Sequence, residues 1–115
     1  MKIKLLNQNT FIISSFLIIG CYNNPTPPSE IIGSQISGFQ YELLDCQKIN
    51  DEIMFLEERE KTLVIAQEKR VRDSKVQQWW TEGDGKGDGF EALELYRVRG
   101  ELNAARKIYK NKECI

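Results

Sequence analysis

The 115-residue chain contains no histidine. That absence removes the commonest general base, the Ser-His and Cys-His nucleophile pairs, and the commonest zinc ligand. An excess of one charge is lacking as well: 16 Lys+Arg stand against 17 Asp+Glu, a net −1. Nucleic-acid binding calls for a basic surface, so no nucleic-acid partner is expected. Long apolar runs are also missing; the longest hydrophobic stretch, residues 11–19, falls short of the roughly 20 residues that cross a bilayer. A chain of this length fits one domain at most and buries only a modest core, which gives added value to a covalent staple.

The start of the chain reads as an export signal. Lys2 and Lys4 form a short positive segment, a polar patch covers Asn7 to Thr10, and the hydrophobic stretch Phe11 to Ile19 follows. It ends in Leu17-Ile18-Ile19-Gly20-Cys21. This run resembles the bacterial lipobox, with Ile18 where Leu is more usual and Ile19 larger than typical. The resemblance covers residues 1–21 and identifies the chain as a bacterial lipoprotein, without naming the mature domain. It implies diacylglycerol transfer to the Cys21 thiol, cleavage after Gly20, and a further acyl chain on the new amine. Two or three acyl chains hold a protein firmly on a membrane where one is marginal. Tyr22 stands where an aspartate would retain lipoproteins in the inner membrane of many Gram-negative bacteria. The implied location is therefore the cell envelope, on the outer membrane facing the periplasm. Loss of residues 1–20 removes two lysines and no acid, leaving 14 cations against 17 anions.

Asn23-Asn-Pro-Thr-Pro-Pro-Ser29 is short, polar and proline-rich, and Gly33 and Gly38 follow. Proline fixes φ and removes donors, so residues 21–37 are expected to be an extended, flexible tether, holding the folded part up to about 45 Å from the membrane.

The rest is expected to be all-α: a two-helix antiparallel hairpin over residues 38–115, with helices at about 39–72 and 90–113 and a loop at 73–89. Cys46, Ile49, Ile53, Leu56 and Leu63 recur at helical spacing, weakly continued by Ala66 and Arg70, opposite the charged Glu57, Glu58, Lys61, Glu68 and Lys69. Leu95, Val98, Leu102 and Ala105, then Ile108 or Tyr109, form a second stripe. Asp73-Ser74 is the expected stop of the first helix. Four glycines at alternate positions from Gly83 to Gly89 are incompatible with a stable helix.

With Cys21 lipidated, Cys46 and Cys114 are the thiols left in an oxidising compartment, and a disulfide between them is expected to close the hairpin. Such a bridge makes facing residues have numbers totalling about 160. The stripes agree: Leu63 meets Val98, Leu56 meets Ala105 and Ile53 meets Ile108. The chain-entropy model gives a loop of this size about 4 kcal/mol of stabilisation.

Motifs for chemistry fail on inspection. An EF-hand starting at Asp84 would have Lys86 as its third ligand and Leu95 as its twelfth; a phosphate loop would need Ser or Thr where Gly87 stands. Pairs such as Glu57-Glu58 or Glu91 and Glu94 read as solvated faces. No metal, cofactor or catalytic residue is expected, and the chain is read as a non-enzyme. Trp79-Trp80, placed in the loop, either caps the open end of the hairpin core or presents an aromatic partner-binding surface, with Lys75, Gln77 and Gln78 as a polar rim. Phe55, Val64 and Ile65 widen the first apolar face and suggest self-association. Gly100, inside the second helix, is read as a close approach to Arg59 and Glu60 opposite. The leading expectation is a lipid-anchored helical interaction module; the alternative is an inhibitor or exclusion-type binder acting through Trp79-Trp80.

Overall fold

The computed structural model describes residues 24–81 and 87–114. The signal segment and Cys21 therefore lie outside the described residues, as do Gly83, Asp84 and Lys86. Among the described residues there is no strand, and three α-helices are present: α1 (Phe39–Glu42), α2 (Cys46–Thr81) and α3 (Phe90–Asn111), preceded by one 3-10 turn at Pro28–Glu30. None is long and apolar enough to cross a membrane.

Helix α2 starts at a well-formed cap. Asp45 Oδ1 accepts from the Lys48 backbone N–H at 2.9 Å while the Asp45 carbonyl accepts from Ile49 N–H at 3.0 Å. This satisfies donors that a helix start leaves open, and it separates α2 from the single turn of α1. Instead of one helix from residue 39, the chain therefore breaks at residues 43–45.

Helix α2 packs against α3 through Ile49, Ile53, Leu56 and Leu63 on one side and Leu95, Val98, Leu102, Ala105 and Ile108 on the other, all buried in one core. Cross-helix ion pairs step in opposite directions along the two helices: Glu57–Arg106 at 3.0 Å, Glu60–Arg99 at 3.5 Å and Arg70–Glu91 at 3.2 Å. Their residue numbers total 163, 159 and 161, near the value the apolar stripes give, while the longer pair Arg59–Glu94 at 3.9 Å totals 153. The exposed Glu57–Arg106 pair contributes little, whereas Glu60–Arg99 and Arg70–Glu91 are half-buried.

The first helix does not stop at residue 72. It continues through Asp73-Ser74 to Thr81 and takes Trp79 and Trp80 into its last turn. Nothing between residues 73 and 81 breaks a helix, since the stretch holds neither glycine nor proline. Burial of Ser74, 1% exposed, fixes that part of the helix against the rest of the molecule.

What buries it is the segment expected to be a flexible tether. From residue 24 onward the chain is a strap laid along the helices. Asn24 Oδ1 accepts from Gln78 Nε2, and Pro25 is buried. Arg99 Nη1 donates to the carbonyls of Pro28 and Ile31, and the Ser34 N–H donates to the Tyr96 carbonyl at 3.0 Å. Beyond it, Gly38 lies against Ile108 and Ala104. The strap thus travels from the Trp79-Trp80 end of the helices to the end where α3 stops. Proline suits this path, because an extended chain without donors leaves fewer orphan groups when laid on a helix surface.

Contact between strap and α3 is closest at two glycines. A Cβ on Gly33 would lie 2.8 Å from the Arg99 carbonyl carbon, and one on Gly100 would lie 2.6 Å from the Ser34 carbonyl oxygen. Gly100 is therefore a close approach, but to Ser34 of the strap and not to Arg59 and Glu60. Gly100 and Ala104, joined by Ile108 at the edge of the stripe that faces α2, form a second buried stripe on α3 towards the strap.

This arrangement fixes the sign of a substitution. In an open helix Gly100→Ala gains about 1 kcal/mol. Here the new methyl meets strap backbone at distances real Cβ atoms do not adopt, and overpacking of that kind costs about 1–3 kcal/mol. Gly100→Ala is expected to lower stability by about 1 kcal/mol in urea unfolding and to speed proteolysis within residues 24–37; a stabilised protein would contradict the contact.

Candidate functional site

Cys46 and Cys114, the two cysteines among the described residues, are joined in a disulfide with Cα atoms 5.4 Å apart. The end of α3 is shaped to present Cys114. Lys112 caps the helix, Glu113 takes the left-handed conformation at φ 57°, and two reversed hydrogen bonds follow: Glu113 N–H to the Lys110 carbonyl and Cys114 N–H to the Tyr109 carbonyl. This is a Schellman turn, in which glycine usually takes the left-handed place. Lys112 Nζ also donates to the carbonyls of Glu42 at 2.9 Å and Leu44 at 2.6 Å, tying the end of α1 to the end of α3 beside the bridge.

At the opposite end a polar lock joins strap, α2 and the entry to α3. Asp88 Oδ2 accepts from the Thr26 hydroxyl at 2.6 Å, while its Oδ1 accepts from the Thr26 N–H at 2.7 Å and from Gln67 Nε2 at 2.9 Å. The same Gln67 amide donates to the Thr26 carbonyl at 2.8 Å, and Gln67 is wholly buried. Burial works to raise the Asp88 pKa, yet the Thr26 and Gln67 hydrogen bonds and the Arg70 charge outweigh it and hold the carboxyl below its ordinary value. Arg70 closes the lock. Its guanidinium lies over Gly89, donates to the Gly87 carbonyl at 3.2 Å and pairs with Glu91. Asp88 belongs to the Gly/Asp segment considered above as an ion loop; its carboxylate is engaged by protein donors.

Trp79 and Trp80 lie in the final turn of α2, 81% and 77% exposed, beside the exposed Val76. Neither indole caps the core. Lys75 and Gln78 line a cavity of about 330 Å³ between α2 and the strap, into which Ser74 also faces with no partner for its buried hydroxyl. Of the candidate residues that are described, the disulfide lies at one end and the Trp pair at the other; Cys21 lies outside the described residues. Phe55 and Ile65 are exposed on α2, and Val64 is partly buried against the core.

A larger cavity, about 710 Å³, runs along α2 past Val64, Ile65 and Glu68 to the Glu57–Arg106 pair. Elsewhere Glu94 is held below its ordinary value by the hydrogen bond from Arg97, and burial raises Tyr41. Among the described residues, no three histidine, cysteine or carboxylate side chains converge as a metal site would require.

Sequence reasoning missed Gln67, Ser74, Arg99, Thr26 and Asp88. Only the first two carried a signal, their spacing: with Leu63 they continue the α2 stripe at helical intervals, but as polar residues.

The lowered Asp88 pKa sets a pH dependence. The folded value lies below the unfolded one, so this stabilisation is present above the ordinary carboxylate value of about 3.8 and is lost as pH falls through the folded value. Proteolysis of the strap by an acid-active protease is expected to accelerate below that range in the native protein. In Asp88→Ala the strap should be cut readily at neutral pH as well, and equal resistance of both proteins across the range would dismiss the lock. In comparisons with known proteins, the chain matches no family model, no curated protein and no solved structure.

Proposed function

We propose that the chain is a lipid-anchored lipoprotein of the bacterial cell envelope, and that its mature part is a non-enzymatic helical module acting by contact. In this reading Cys21 carries the acyl chains, and α2 and α3 form an antiparallel hairpin closed by the Cys46–Cys114 bridge. The observation that carries it is the use of the three cysteines. One follows the Leu-Ile-Ile-Gly run, and the other two are joined to each other. Stable disulfides belong to oxidising compartments, which agrees with export. The outer membrane, facing the periplasm, is the location proposed.

The exposed Phe55 and Ile65 support self-association as one mode of contact. The bare Trp79-Trp80 pair favours a second reading, an inhibitor or exclusion-type binder that grips a protein partner with these indoles.

Labelled palmitate tests the proposal. Label is expected on the wild-type protein, in the membrane fraction, and none on Cys21→Ser. An unlabelled wild-type chain in the cytosol, with Cys46 and Cys114 reduced, would refute it.

A further inference from the structure

The strap changes where the membrane lies relative to the helices. With residues 21–37 free, the module would float tens of ångströms from its anchor. In the structure the strap is already docked at Asn24, which accepts from Gln78 on the last turns of α2, and at the buried Pro25. Between Cys21 and Asn24 there are three residue steps, which reach at most about 11 Å even fully extended. Trp79 follows Gln78 directly. A lipid on Cys21 therefore brings the bilayer surface to the Trp end of α2, and the disulfide end points away.

What stands at that end suits a lipid surface. Trp79, Trp80 and Val76 are bare, and the neighbouring Arg72 and Lys75 are exposed cations, with the exposed Asp73 between them paired to Lys69 at 3.8 Å. Tryptophan concentrates at the membrane–water boundary because its ring is apolar and its N–H is polar. Lysine and arginine extend their charged ends to anionic headgroups, here from Lys75 one turn and Arg72 two turns back from Trp79. The headgroup region is several ångströms thick, comparable to the short reach left to the anchor.

We infer that the Trp79-Trp80 end of α2 is a second membrane contact, its indoles seated in the headgroup region beside the Cys21 lipid, so that the helices stand on the bilayer. This rests on the lipid-anchor reading of the preceding subsection. The lipid surface is favoured over a protein partner because the anchor already holds the bilayer against these residues.

The chain has two tryptophans, both at this end, so its native fluorescence reports on the contact alone. The full lipidated protein is placed in vesicles of phosphatidylethanolamine and phosphatidylglycerol, with and without lipids brominated on their acyl chains. Flotation and the mass of the Cys21 peptide are measured on the same sample. Acylated protein that floats, with emission shifted to the blue and lost to the brominated lipid, is the result expected. Acylated protein that floats with solvent-like, unquenched emission overturns the contact and leaves the anchor standing; the indoles are then available to a protein. Absence of acylation and flotation removes the anchor, and the proposal with it.

Discussion

The structure depends on the meeting of two glycines, Gly33 of the strap and Gly100 of α3. A Cβ on either glycine would collide with the backbone of the opposite segment, Arg99-Gly100 for Gly33 and Ser34 for Gly100. Two helices of this size bury one stripe each, a thin core for a small chain. Backbone-to-backbone approach at Gly33 and Gly100 lets a third layer add to it. Ile31 and Tyr41 then join the core from the strap side, and Arg99 can reach the carbonyls of Pro28 and Ile31 while still pairing with Glu60 on α2. One guanidinium thus joins three parts of the molecule, which suits a group with several fixed donors.

The two ends of the assembly are closed by different chemistry. At one, the Cys46–Cys114 bridge, the left-handed Glu113 and the Lys112 ammonium gather the ends of α1 and α3 and the start of α2. At the other, Asp88 and Gln67 hold Thr26 by hydrogen bonds alone. The first responds to reduction and the second to acid. The end that opens without covalent change is the one that carries the Trp pair and receives the chain from Cys21.

Much of the helix pairing was legible because apolar residues announce themselves by period. Leu56, Ala105, Ile53 and Ile108 could be picked out as core from spacing, and all are buried in one cluster; the pairing of Cys46 with Cys114 followed from export, and the disulfide shows it. The extent of α2 was not legible, because Asp73-Ser74 is a common stopping pair and the burial that holds Ser74 comes from the strap. Gln67 was invisible for a related reason: a polar residue in a buried stripe looks like the stripe's end unless its partners Thr26 and Asp88 are known. The strap itself was misread as a tether, since proline and glycine favour extended chain whether or not a surface lies beneath it. Gly100 carried the right signal, a close approach, with the wrong neighbour.

The central claim is that residues 24–37 are part of the fold. The Ser34 amide tests it most directly, as its hydrogen bond to the Tyr96 carbonyl joins strap to helix at the glycine contact. Native-state hydrogen exchange by NMR is predicted to find this amide protected well above an unstructured peptide, and to find that protection falling in Gly100→Ala. Exchange of Ser34 at the rate of a disordered chain, in a protein whose α2 and α3 amides stay protected, would contradict the account.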